Sequence, residues 1–94
     1  MTVPSWSVVE AREVTVTVAE ANALYSRFHD LYDGLTWRLC RDPLPADARQ
    51  IAPETYIVKS DVIRFPGFCV LTVVYSVDTD SSQINILDLI VDPI

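Results

Sequence analysis

The hydrophobic pattern changes period once, near Pro53, and this divides the chain into a helical first half and a β second half. Ser5 to Val9 and Val14 to Val18 are rich in β-branched residues and predict two short extended segments, with Glu10-Ala11-Arg12-Glu13 as a turn or a bulged continuation between them. Thr17-Val18-Ala19-Glu20 has the S/T-x-x-E form of a capping box, so a helix is expected to begin there. Leu24, Phe28, Leu31, Leu35 and Leu39 then recur at helical spacing, and Tyr25 and Tyr32 widen this stripe toward a core. Gly34 is a candidate break between two helices, Arg38 and Arg41 suit the negative pole of a helix end, and Asp42-Pro43-Leu44-Pro45 stops the pattern. Ala46 to Pro53 reads as a polar connection with at most one helical turn.

After Pro53 the runs become β-branched and aromatic and mostly alternate. Thr55 to Ser60 and Val62 to Phe65 predict short strands, Pro66-Gly67 a turn, and Phe68 to Val77 a long strand. On that long strand Cys69, Leu71, Val73, Tyr75 and Val77 share one wholly apolar face, while Phe68, Val70, Thr72, Val74 and Ser76 share a mixed one. Asp78-Thr79-Asp80-Ser81-Ser82 closes a hairpin, and Gln83 to Val91 returns. Its alternation slips by one at Ile86-Leu87, the mark of a β-bulge or of burial on both sides. The expected fold class is α+β: an N-terminal strand, one or two helices, then an antiparallel meander of three or four strands packed on the helices, within a single domain over residues 1–94.

Composition narrows the classes of function. With 13 acidic and 7 basic residues the formal net charge is −6, and from Phe65 to Ile94 there are four aspartates and no cation. Phosphate backbones are gripped by Lys and Arg, so nucleic acid is an unfavoured partner. The longest uncharged window, Phe65 to Val77, is too short to cross a bilayer, and the N-terminal segment has no basic and apolar leader pattern, which points to the cytoplasm and to no membrane association. Two cysteines, Cys40 and Cys69, with one histidine exclude a zinc site built from Cys and His alone. No metal site and no cofactor motif is expected.

Three local features resemble the RelE/ParE superfamily of type II toxin-antitoxin toxins. Leu39-Cys40-Arg41-Asp42-Pro43 is similar to the close of that family's helical part, Leu71-Thr72-Val73-Val74-Tyr75-Ser76-Val77-Asp78 to its Y-x-V-D strand, and Ile84-Asn85-Ile86-Leu87-Asp88-Leu89 to its last strand. The resemblance implies the family scaffold and an antitoxin-like small protein as partner. Members that cut messenger RNA carry an arginine where this chain has Thr72, and a His-Arg or similar pair where it has Val91-Asp92-Pro93-Ile94. Stabilising a pentavalent phosphate needs such cations. The departures therefore favour the ParE-like branch, which acts by binding a protein, over a divergent endoribonuclease.

No residue is assigned a catalytic role. His29, one helical turn before Asp33, reads as a solvated pair. The expected partner-binding residues are Lys59 and Arg64, the only cations after Arg49, together with Trp37 off the main helical stripe and Phe68, Val70 and Val74 on the mixed face of the long strand. A sheet with helices on one side leaves its other face wet, covered or paired, so a homodimer, as a non-toxic interaction or regulatory domain, satisfies the same physics as an antitoxin.

Overall fold

In the computed structural model, residues 6–94 are described. The start of the expected first strand at Ser5 and the N-terminal segment read for a leader lie outside the described residues. Seven elements follow in order: β1 (Ser7–Glu10), α1 (Arg12–Leu24), α2 (Phe28–Arg41), β2 (Arg49–Ala52), β3 (Thr55–Lys59), β4 (Val70–Asp78) and β5 (Gln83–Asp92). The α+β expectation holds, with two helices and a four-stranded antiparallel meander. The strand order is β1-β5-β4-β3-β2, so β1 joins the meander in parallel beside β5 and makes a five-stranded mixed sheet.

The first helix corrects the sequence reading. Val14 to Val18 is helical, and α1 begins at Arg12, five residues before the capping box at Thr17. Val14, Val18, Ala21 and Tyr25 are spaced by four, three and four, and this face is the one that reaches the core. Thr17 satisfies its hydroxyl locally by donating to the Glu13 carbonyl at 3.0 Å. The break between helices falls at residues 25–27 and not at Gly34, which lies inside α2. Leu24, expected in the core stripe, is 77% exposed, because α1 ends there and the stripe restarts on α2 with Phe28, Leu31, Tyr32, Leu35 and Leu39.

Two further expectations are overturned. Ala46 to Pro53 contains an edge strand, β2, in place of a helical turn, paired through Arg49 and Ile57 to β3. Val62 to Phe65 is not a strand. It belongs to a connection whose Ile63 packs on the core and whose Pro66-Gly67 turn docks on the junction between the helices, with Arg27 N–H donating to the Gly67 carbonyl at 2.9 Å. Gly67 has φ of +88°, which a side chain would strain.

The core lies between the helices and one face of the sheet. Leu71, Val73 and Tyr75 of β4, Ile84 and Ile86 of β5, and Phe28 and Leu39 of α2 are fully buried, as is Cys69. Each such aliphatic side chain contributes roughly 1.5–3 kcal/mol by leaving water. The slipped alternation is a bulge: Val74 pairs with Asp88 and Tyr75 with Ile86, leaving Leu87 extra. Both cysteines are free thiols, and burial raises the pKa of each.

Candidate protein-binding surfaces

Because side chains alternate along a strand, the pairing register fixes which residues share each face of the sheet. Opposite the core, β4 presents Val70, Thr72, Val74 and Ser76. Level with these stand Lys59, Ile57 and Thr55 on β3, and Asp92, Ile90, Asp88 and Asn85 on β5. Arg49 on β2 is level with Ile57, and Val9 on β1 with Asn85. Both helices lie on the core side, so this face is open among the described residues. Ile90 is 44% exposed, while Thr72 at its centre is buried beneath its neighbours. Three expected partner-binding residues, Lys59, Val70 and Val74, come together here.

Arg64 and Phe68 lie elsewhere. Phe68 precedes β4 and leaves the strand's alternation: its ring sits 5.1 Å from the Arg27 guanidinium, at the start of α2. With Leu24, Phe65, Arg64 and Ile94 it lines a shallow groove of about 510 Å³ formed by the end of α1, the β3–β4 connection and the chain's last residues. Trp37 joins neither surface. It projects from α2, 62% exposed, with the Arg41 guanidinium 4.7 Å over its ring. The six residues singled out from sequence thus fall on three separate places.

The structure also separates the polar residues that acid-base chemistry would need. His29 is on α2, facing solvent beside Asp33 at 4.0 Å, whereas Lys59 is on the opposite side of the sheet. Tyr75 is a core residue whose hydroxyl donates to the Pro43 carbonyl at 2.7 Å, and burial, followed by the charges of its neighbours, pushes its pKa up to about 12. Missed by sequence reasoning was Glu10. Its carboxylate accepts hydrogen bonds from Tyr32 at 2.5 Å and Thr15 at 3.0 Å, and so pins the end of β1 to both helices. Desolvation, then that carboxylate, raises the Tyr32 pKa. Only the helical restart at Phe28 and the length of β1 would have placed this trio together.

The described residues hold no cluster of three or more His, Cys, Asp or Glu that would bind a metal ion, and no helix among them is long and apolar enough to cross a membrane. Comparison with protein-family models, with curated proteins and with solved structures gives no match.

Proposed function

We propose that this chain is a RelE/ParE-like protein of the toxin-antitoxin kind that works by protein-protein binding through the open face of its sheet. The observation that carries the reading is that face: Ile57, Val70, Val74 and Ile90 form an apolar centre bordered by Lys59 and Arg49, with no described element over it. Ile90 is exposed and Ile57, Val70 and Val74 are half-buried, and an apolar patch left without a covering layer marks an interaction site. The order of one strand, two helices and four antiparallel strands agrees with the resemblance. Binding is favoured over RNA cleavage by the uncharged centre at Thr72, by His29 and Lys59 lying on opposite sides of the sheet, and by a net charge of −6 that repels a polyanion.

Tightly regulated expression in bacteria tests it. The wild-type chain is expected to arrest growth without changing messenger cleavage patterns, a small protein encoded beside it to relieve the arrest, and Val74→Asp to abolish it. Normal growth with the wild-type chain would remove the toxin reading, and new messenger cleavage would replace it with the nuclease.

A further inference from the structure

We propose that the occupant of the open face is a second copy of this chain, packed face to face about a two-fold axis parallel to the strands. The inference rests on the reading of that face as a binding surface and names its partner.

Charge is sorted across the face. Arg49 on β2 and Lys59 on β3 stand to one side of β4, Asp88 and Asp92 on β5 to the other, and the rows between them hold Ile57, Val70, Thr72, Val74 and Ile90. Of these four charged residues, none has an ion-pair partner among the described residues. Lys59 is level with Thr72 and Ile90, so along β5 it is flanked by Asp92 on one side and Asp88 on the other. A two-fold axis along β4 lays β3 of one copy over β5 of the other and β2 over β1, and the operation delivers the same match of Lys59 to the β5 acids a second time. An axis running across the strands instead stacks β3 on β3 and β5 on β5, cation on cation and acid on acid. Charge therefore selects one of the two in-plane orientations, both of which keep the two sets of strands aligned, as packed sheets prefer.

Net charge and area agree with this. With Asp78 at the end of β4 the face carries two cations and three acids, close to balance where the whole chain carries −6, so repulsion between two like-charged molecules is modest here. Five strands about 4.8 Å apart and about six residues deep on average present roughly 500 Å² per copy. Twice that, about 1,000 Å², is at the threshold of a specific interface.

Sedimentation velocity over a concentration series tests the proposal on the full chain. The wild type is expected to shift from chain mass to twice chain mass as concentration rises through the micromolar range. Val74→Asp, placed on the face and away from the core, is expected to weaken association at least tenfold while circular dichroism and the denaturation midpoint report an intact fold. A charge exchange makes the test independent of that variant. Lys59→Asp alone and Asp88→Lys/Asp92→Lys alone should each be monomeric, and an equimolar mixture should dimerise, because both contacts are then opposite in sign. A wild type that stays monomeric, or a mixture that does not associate, overturns the second copy. If that monomer loses its growth effect on Val74→Asp, the binding face stands and its partner is a different protein; if Val74→Asp changes neither, the binding face falls as well.

Discussion

Leu71 and Val74 sit on one strand, three residues apart, and their surroundings differ completely. Leu71 is fully buried between the sheet and the helices, whereas Val74 is half-buried on the face that no described element covers. Hydropathy does not distinguish them. What does is the number of layers: a sheet with helices on one side has one face committed to folding and one available for association. The apolar residues of the open face thus contribute less to the fold of a single copy than those of the committed face.

The largest expected effect comes from breaking the committed face. Leu71→Ala should lower stability to denaturant by about 3 kcal/mol, within the range for a fully buried leucine, because the helices cannot follow the removed atoms. Val74→Ala in dilute solution should cost less than about 1 kcal/mol, and Leu71→Ala should leave the denaturant slope unchanged. Equal losses at the two positions would mean that both faces are covered within one chain, and the contrast would be gone.

The next effect is a pH dependence confined to the committed face. Tyr75 ordinarily would titrate at 10.0, but in the fold its pKa is pushed up to about 12 by burial, with Tyr56, Asp47 and Asp42 adding to the shift and Arg38 opposing it. Since the folded value lies above the unfolded one, the neutral phenol is what the fold favours. Its contribution is complete below pH 10.0 and is lost as pH rises toward about 12. A loss on the order of 2 kcal/mol over that window is expected at about 1.4 kcal/mol per pKa unit. Tyr75→Phe should flatten the alkaline limb of stability against pH, at a neutral-pH cost of about 1 kcal/mol for the hydrogen bond to Pro43. Tyrosinate absorbance followed against pH, with and without the substitution, measures both.

The same division explains how much of the molecule was legible in its sequence. β4 and β5 were legible, even to the bulge at Leu87, because a strand buried on one side writes its environment as alternation. α1 was not. In Val14-Thr15-Val16-Thr17-Val18 the two residues that matter are four apart, and residues four apart share a face in a strand and in a helix alike. β-branched composition tipped the reading toward a strand, and contacts across the core decided otherwise. β2 carries no pattern because every one of its residues is exposed. Val70 and Val74 of the open face followed from alternation, yet Ile57 and Ile90 beside them depend on register, which no single strand reveals. The groove at Phe68 gathers Leu24, Phe65 and Ile94 from three distant segments, so no local spacing could announce it.

The smallest effects separate the two glycines, which sequence alone presents as equivalent breaks. At Gly67, φ is +88° and an added Cβ would stand 2.3 Å from the Ser26 hydroxyl and 3.1 Å from Arg27 Cγ. The serine can rotate away; the left-handed backbone cannot relax without releasing the Gly67 carbonyl from Arg27 N–H. Gly67→Ala should therefore cost about 1–2 kcal/mol. Gly34, by contrast, lies inside α2 with nothing within 4 Å of an added Cβ. There a methyl group meets open space and removes backbone freedom from the unfolded chain, so Gly34→Ala should raise stability by about 0.5–1 kcal/mol. Thermal unfolding of the two variants side by side should move the midpoint in opposite directions. A destabilised Gly34→Ala would instead put the break between the helices at Gly34, the candidate that the glycine itself suggested, and would undo the continuous α2 on which Phe28 and Leu39 reach the same core.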